Sequence, residues 1–255
     1  MLQYFSQDID QIKISKVQYF SIAICFLMNV LDGMDVLVVS YCAPAIAQAL
    51  KLGPKTLGIV FSAGLVGMAI GAIFLAPYAD KFGRKKLILA SAFIMGFSVL
   101  LTALSENILQ LVIMRLISGL GIGCMLATTA TLTSENVLNN SKDFWVSLVI
   151  SGYPVGAVIS GYIAATVIPS YGWESMFIFA GLTTLFTIPL TYFFLTESPQ
   201  FYLKKQPFGA LEKVNKLFIK MNLRPLDNLP EFRLNLKNKP LVSQLFSNKY
   251  KLSTL

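Results

Sequence analysis

The stretch that decides the fold is Ala79-Asp80-Lys81-Phe82-Gly83-Arg84-Lys85-Lys86, a short basic segment between two long apolar blocks. Glycine adopts the backbone angles of tight turns at no steric cost, so Gly83 places a sharp turn within the segment. The flanking blocks cover about residues 57–78 and 85–105, and a membrane helix needs roughly 20 residues. The segment therefore predicts a tight, positively charged connection between two membrane helices.

Six apolar blocks of this kind run along the chain. They cover about residues 18–46, 57–78, 85–105, 108–133, 144–168 and 174–196. Hydrophobic residues make up 55% of the 255 residues and charged residues only 13%, against about a quarter in a soluble domain. One block could be the buried helix of a large soluble protein, but six in succession indicate an all-α membrane protein. We expect a six-helix transmembrane bundle over residues 18–200.

The basic residues indicate the orientation of this bundle. Eighteen of the 21 lysines and arginines lie in the N-terminal segment, the second and fourth connections and the C-terminal segment, whereas the opposite side has only Lys51 and Lys55. Because cytoplasmic loops are enriched in Lys and Arg, both termini are predicted to be cytoplasmic and the protein to lie in the cell (inner) membrane. The net charge of +8 is then a topology signal, and we expect no nucleic-acid partner.

The two terminal segments differ in character. Residues 1–17 form a polar, cytoplasmic N-terminus, and residues 201–255 form a basic cytoplasmic segment. In the latter, the alternation of Lys and Leu predicts a short amphipathic helix near 208–221, followed by a flexible stretch. Such a basic segment is also compatible with contact to anionic lipid headgroups.

Away from the block ends, three charged residues lie inside the apolar blocks, where each costs about 2.5–3.5 kcal/mol to insert. Asp32 and Asp35 occur in the first block and Arg115 in the fourth. At 1.5 Å per residue, Asp32 lies about 21 Å from one surface and Arg115 about 9 Å from the other, which is a similar level in a core of about 30 Å. The charges either form ion pairs that hold the bundle together or line a water-filled path. We favour the path, because a single acid would be enough to pair with one arginine and the second acid would remain unexplained.

These residues are the candidate transport site. Histidine is absent from the chain, so Asp32 and Asp35 are predicted to couple proton movement. Arg115 is predicted to bind an anionic substrate or to orient the site that does, with Asn29 on the same side of the first helix as the two acids. Tyr153 is either a cavity residue or an interfacial tyrosine at a kink. We expect no enzyme activity, no cofactor and no metal site.

The basic segment resembles the signature loop of the major facilitator superfamily, Gly-x-x-x-Asp-Arg-x-Gly-Arg-Arg/Lys. Lys81 is a conservative departure and Ala76 replaces the first glycine, while the residues that match are Asp80, Gly83, Arg84 and Lys85. The resemblance implies a fold of two six-helix bundles, each built from two inverted three-helix repeats. Glycines at similar spacing in the second and fifth blocks are a weak sign of such a repeat: Gly64, Gly67 and Gly71 against Gly152, Gly156 and Gly161.

Two further motifs resemble conserved charge positions of that superfamily. Ser134-Glu135 ends the fourth block, and Glu197-Ser198-Pro199 follows the sixth. Together with the loop they imply a cytoplasmic gate. We call its residues the Arg84 cluster: Asp80, Gly83, Arg84, Glu135 and Glu197. Arg84 is expected to lie within ion-pair reach of Glu135, because the third helix begins and the fourth ends on the same face, about one membrane width past Arg115. Arg115, followed by Gly119, Gly121 and Gly123, resembles the fourth-helix motif of the same superfamily.

A narrower resemblance concerns the substrate. Asp32-Gly33-x-Asp35 and Ile168-Pro169-x-x-Gly172-Trp173 resemble the aromatic acid:proton symporter family, although Glu174 stands where a basic residue is expected. This resemblance implies proton-coupled uptake of small aromatic carboxylates such as benzoate or hydroxybenzoate-like acids. The alternatives are a superfamily transporter of a sugar, a dicarboxylate or a drug, and a membrane protein that is a non-transporting remnant.

The resemblance covers one six-helix bundle, over about residues 17–205, and residues 245–255 resemble the approach to a seventh helix. We therefore expect this chain to be a truncated amino-terminal half that does not transport alone and that works, if at all, with a separate carboxyl-terminal half. Two copies that form one pore are the alternative.

The topology is directly testable. A reporter enzyme that works only in the cytoplasm is expected to be active when fused after Leu255, and one that works only in the periplasm is expected to be inactive. The reason is that the basic residues keep that end of the chain in the cytoplasm. Paired cytoplasmic and periplasmic reporters measure this. A periplasmic signal would show that the number of spans is wrong.

Overall fold

The computed structural model describes residues 14–137 and 141–230, and the regular elements in those ranges are all helical. Six helices are long and apolar enough to span a membrane: α1 (Lys16–Ala49), α2 (Pro54–Phe82), α3 (Arg84–Thr102), α4 (Ile108–Asn136), α5 (Lys142–Tyr171) and α6 (Trp173–Phe194). Two short helices follow, α7 (Pro199–Lys205) and α8 (Ala210–Lys220). The predicted six-helix bundle is confirmed, as is the amphipathic helix near 208–221. Most of the predicted N-terminal segment and the approach to a seventh helix lie outside the described residues.

Local sequence explains where the helices begin. Ser15 caps α1 reciprocally with Gln18: its backbone N–H donates to the Gln18 side chain at 2.8 Å, and its hydroxyl accepts from the Gln18 N–H at 3.4 Å. Asn107 caps α4 by accepting from the backbone N–H of Gln110 at 3.0 Å. The tight connections before α3 and α6 contain Gly83 and Gly172, whose φ angles of 102° and 81° favour glycine.

Helix packing divides the bundle into two similar sets of three. α1 packs mainly against α5, and α2 packs in the same way against α4; α3 lies against α4 and α6, and α6 lies against α1. Exchanging α1 with α4, α2 with α5 and α3 with α6 turns these pairings into one another. The pattern is that expected for two inverted three-helix repeats.

Glycines allow the backbones to approach at both equivalent crossings. Between α1 and α5, a Cβ at Gly156 would overlap the carbonyl oxygen of Val30; between α2 and α4, a Cβ at Gly123 would overlap that of Met68. Small residues of this kind drive close van der Waals packing of membrane helices. Of the glycines that hinted at a repeat, these lie against backbone at the two crossings: Gly67, Gly71, Gly152 and Gly156.

The second helix departs from regular α-helical geometry near its end. It contains a π turn at Gly71–Leu75 and a 3₁₀ turn at Ala76–Tyr78 before its last turn at Ala79–Phe82. Pro77 has no backbone N–H and cannot continue an α-helical hydrogen-bond ladder, which accounts for the irregularity. The helix therefore extends past the predicted block 57–78 and carries Asp80 in its last turn.

The glycine crossings predict the effect of substitutions. Gly156→Val and Gly123→Val are each expected to lower the free energy of unfolding by about 1–3 kcal/mol or more, because the added atoms force the two backbones apart. Unfolding in detergent, followed by tryptophan fluorescence, measures the change. Gly58→Ala is the matched control, since a Cβ there meets nothing within 4 Å. Equal stability of all three variants would show that the crossings tolerate extra volume.

Candidate functional site

Arg84, the first residue of α3, is the centre of one charged cluster at one end of the bundle. Its side chain is buried, with 4% exposed, and its Nε lies 2.9 Å from Glu135 Oε2 on α4. Nη2 lies 2.5 Å from Asp80 Oδ1, and Nη1 donates to the carbonyl oxygen of Ala79 at 3.3 Å. One guanidinium therefore joins the ends of α2 and α4 to the start of α3.

Glu197 joins the segment after α6 to the same cluster. Its carboxylate accepts from the backbone N–H of Arg84 at 2.8 Å and from that of Lys85 at 3.2 Å. These N–H groups have no partner within α3 because they lie in its first turn. Burial raises the pKa of Glu197, and the hydrogen bonds from these N–H groups offset part of that rise. Next to it, the Ser198 hydroxyl donates a short hydrogen bond to Glu135.

The five residues of the Arg84 cluster are thus brought together as the sequence predicted. The expected contact between Arg84 and Glu135 is present. Gly83 has a φ of 102°, which side chains other than glycine rarely adopt, and it lies against the Glu197 carboxylate. Asp80 differs from the others, since 76% of its side chain is exposed. The role of the cluster as a gate remains a prediction.

A second charged group lies in the interior of the bundle, between α1 and α4. Arg115 Nη1 lies 3.4 Å from Asp35 Oδ1 and donates to the Asp35 carbonyl oxygen at 3.3 Å. Both side chains are less than 5% exposed. The Phe177 ring of α6 covers the guanidinium, with 4.9 Å from Arg115 Cζ to the ring centroid. The ion-pair interpretation therefore holds for Asp35 in this conformation.

Asp32 has a different environment. It is fully buried, and within 14–137 and 141–230 neither carboxylate oxygen has a hydrogen-bond partner. One turn away, Asn29 donates to the Cys25 carbonyl oxygen at 2.9 Å and to Thr129 Oγ1 at 3.0 Å, which leaves its own Oδ1 without a partner there. An unpaired buried carboxylate is costly, so Asp32 is not explained as a contact that holds the bundle together.

Tyr153 lies beside these acids on α5. It is half-buried and within electrostatic range of Asp32 and Asp35. Its backbone carbonyl meets α1 at Gly33, where a Cβ would overlap it. Tyr153 is therefore close to the two acids, at the point where α1 and α5 cross.

A cavity of about 230 Å³ lies between α1, α2 and α4. Arg115 is the one charged residue in its wall, which is otherwise mostly apolar; the lining includes Val39, Ser40, Val60, Phe61, Met68 and Ser118. Asn29, Asp32 and Tyr153 do not line this cavity. The structure therefore brings one of the three predicted substrate-binding residues, Arg115, to the cavity wall.

Two contacts were not anticipated from the sequence. Phe177 under Arg115 is one of 19 phenylalanines, and no local pattern distinguishes it. Ser198, which bonds to Glu135, directly follows Glu197 in the chain. That position beside an acid of the Arg84 cluster is the sequence signal that could have indicated it.

Comparison with known proteins assigns the chain to a family. The sequence pattern of the Major Facilitator Superfamily matches residues 25–251. The gallate transporter of Pseudomonas putida is 33% identical over 254 residues, which cover 97% of this chain and 55% of that protein. The 4-hydroxybenzoate transporter of Acinetobacter baylyi is 33% identical over 253 residues, with the same two shares.

One further relative covers a smaller share of the chain, and one solved structure shows the same fold. The 3-(3-hydroxy-phenyl)propionate transporter of Escherichia coli is 33% identical over 194 residues, 75% of this chain and 48% of that protein. The solved structure of the proton:xylose symporter bound to a bromodeoxyglucose superposes with a TM-score of 0.71 at 20% identity, over 81% of this chain and 50% of that one.

Six apolar helices and the charged loop between the second and third of them define a multi-pass membrane protein. The chain belongs to the Major Facilitator Superfamily. It spans about half the length of the curated relatives that it matches.

The Arg84 cluster predicts unequal effects on stability for the two acids that pair with the Arg84 side chain. Glu135→Gln is expected to lower the free energy of unfolding by about 3 kcal/mol, because it leaves a buried guanidinium without its buried partner. Asp80→Asn is expected to cost about 0–1 kcal/mol, because that carboxylate is mostly exposed. Unfolding of the purified chain in detergent measures both. Similar losses for the two variants would contradict the burial of the Arg84–Glu135 pair.

Proposed function

We propose that this chain is the amino-terminal bundle of a proton-coupled importer of small aromatic carboxylates, such as hydroxybenzoate-like acids. It lies in the inner membrane with both termini cytoplasmic and works with a second six-helix bundle. The proposal rests chiefly on Asp32, a fully buried carboxylate that has no hydrogen-bond partner among the described residues. The neighbouring acid Asp35, by contrast, forms an ion pair with Arg115.

Asp32 and Asp35 have different roles in proton coupling. Asp35 is compensated by Arg115, whereas Asp32 has no compensating charge. A carboxylate buried without a partner takes up a proton rather than remain charged. Asp32 then binds a proton when water reaches it from one side and releases it to the other, while Asp35 adjusts the charge at Arg115.

Arg115 is suited to bind the substrate carboxylate. Its contacts to Asp35 Oδ1 are long, at 3.4 and 3.5 Å, and its Nε has no partner within the described ranges. A carboxylate with better geometry can compete for such a guanidinium, since arginine binds carboxylates best through two parallel hydrogen bonds. The guanidinium also forms part of the wall of the cavity.

The cavity favours an aromatic substrate. Its volume of about 230 Å³ and mostly apolar wall leave room for a benzene ring with small substituents. Aromatic acids are also what the names of the relatives at 33% identity specify: gallate, 4-hydroxybenzoate and 3-(3-hydroxy-phenyl)propionate. These two observations support the substrate class.

The Arg84 cluster acts as the cytoplasmic gate. Its contacts join the ends of α2 and α4, the start of α3 and the segment after α6. When the two bundles rock during alternating access, breaking and remaking these contacts opens and closes that side. The exposed Asp80 carboxylate is the member placed to exchange partners.

Transport assays test the function. Cells without aromatic acid uptake would express residues 1–255 together with the carboxyl-terminal bundle of the Acinetobacter baylyi 4-hydroxybenzoate transporter. Accumulation of radiolabelled 4-hydroxybenzoate is expected, and a protonophore should abolish it. Asp32→Asn should reduce accumulation to background but spare exchange of labelled for unlabelled substrate, because exchange needs no net proton movement.

The control and the contrary outcome are equally specific. Asp143→Asn, which removes a carboxylate from the first turn of α5, should accumulate substrate normally. Normal accumulation by both Asp32→Asn and Asp35→Asn would show that the two acids are structural. Accumulation by residues 1–255 without any second bundle would refute the requirement for one.

Substrate binding can also be followed without transport. Trp173 contacts Phe177 with ring centroids 5.7 Å apart, and Phe177 covers Arg115. In a Trp145→Phe background, Trp173 is the remaining tryptophan of the chain. A change of its fluorescence on addition of 4-hydroxybenzoate, absent with xylose and lost in Arg115→Gln, is the expected result.

A further inference from the structure

A basic surface outside both charged groups surrounds the start of α3. Lys85 and Lys86 lie in its first turn, and Lys220 of α8 lies within electrostatic range of Lys85. We call these three residues the basic rim. None of them forms an ion pair within the described residues. The neighbouring acid, Glu197, lies within electrostatic range of Lys85, and its carboxylate also accepts hydrogen bonds from backbone N–H groups.

The basic rim borders the outward-facing surface of α3 and α6. The Lys85 ammonium lies over the ring of Tyr192, near the end of α6, at 5.2 Å from the ring centroid. Tyr192 itself is 59% exposed. A tyrosine that is apolar at the ring and polar at the hydroxyl is typical of the membrane interface.

An apolar surface continues from the rim along both helices. On α3, Phe93 and Phe97 are exposed and follow Lys86 at helical intervals of seven and eleven residues, which places all three on one face. On α6, Phe186 and Phe193 are 81% and 77% exposed. The surface thus has cations at one end and aromatic side chains along its length.

We propose that the basic rim binds the headgroup phosphate of an anionic phospholipid, such as phosphatidylglycerol, whose acyl chains lie along the exposed faces of α3 and α6. The charges are complementary, and the order of features matches that of a lipid: phosphate, interface, hydrocarbon. Each lysine near an anionic membrane surface contributes about 1 kcal/mol. The site is separate from the cavity at Arg115, and its occupancy does not depend on the transported substrate.

A lipid fits this surface better than a soluble phosphate compound. A soluble ligand would use the lysines alone and leave the aromatic faces uncovered. α8 adds a further reason: its buried apolar face packs on α7, and its Lys220 lies within electrostatic range of Lys85 on α3. The headgroup is therefore held between a membrane helix and a helix that lies outside the membrane.

Lipid titrations of the purified 255-residue chain, followed by native mass spectrometry, test the proposal. Dioleoyl-phosphatidylglycerol is expected to bind more tightly than dioleoyl-phosphatidylcholine. The Lys85→Gln/Lys220→Gln double variant should lose about 30-fold in affinity for the anionic lipid, which corresponds to about 1 kcal/mol for each lysine. Lys51→Gln/Lys55→Gln, which removes one lysine between α1 and α2 and one at the start of α2, should bind both lipids like the unchanged chain.

Each other outcome would overturn the proposal. Equal affinity for the two lipids, or a preference that persists in the double variant, would show that the basic rim binds no anionic headgroup. Displacement of the lipid by millimolar glycerol 3-phosphate would show that the site takes free phosphate groups. If the double variant does not fold, Lys220→Gln alone, outside the membrane helices, should weaken binding about fivefold, and an unchanged affinity would then refute the proposal.

Discussion

The absence of water in the bilayer core is the constraint on which the rest of this structure depends. A polar group there must find its partner within the protein. The ion pair of Asp35 and Arg115 meets that requirement, and it joins α1 to α4, the first helices of the two repeats. Glycines bring α1 close to α5 and α2 close to α4, so each of the two helices that carry the pair is packed closely against another helix. The interior charges and the small residues are therefore two parts of one packing solution.

α4 connects the interior charges to the Arg84 cluster. Arg115 lies near one end of this helix, and Glu135 lies 20 residues later, about 30 Å away at 1.5 Å per residue. Both ends are held by buried ion pairs to other helices. In the proposed transport cycle, a substrate that displaces Asp35 from Arg115 frees α4 at one end, and a rigid helix transmits the resulting tilt to the gate.

The sequence predicted what depends on periodicity and charge. The six spans followed from apolar blocks, and the meeting of Arg84 with Glu135 followed from a membrane width of chain between Arg115 and Glu135. The sequence could not predict the rotation of each helix about its own axis, and therefore not which residues face the neighbouring helices. The stacking of Phe177 on Arg115, the cavity between α1, α2 and α4, and the lack of a partner for Asp32 all depend on helix rotation. α7 was missed because seven residues are too few to show a periodic pattern.

The unequal environments of Asp32 and Asp35 bear on stoichiometry. In the proposed cycle, Asp32 is ionised when water reaches it and no substrate is bound, and the two acids and Arg115 then together carry one negative charge. A substrate carboxylate would raise this to two negative charges, at a cost that grows steeply in a medium of low dielectric constant. One proton on Asp32 restores the charge of the empty state. Entry of the anion and uptake of a proton are thus favoured together, and the proposed cycle requires at least one proton for each carboxylate. Asp32→Asn removes this compensation. The asparagine side chain is neutral, like a protonated Asp32, and it can neither take up nor release a proton when substrate binds.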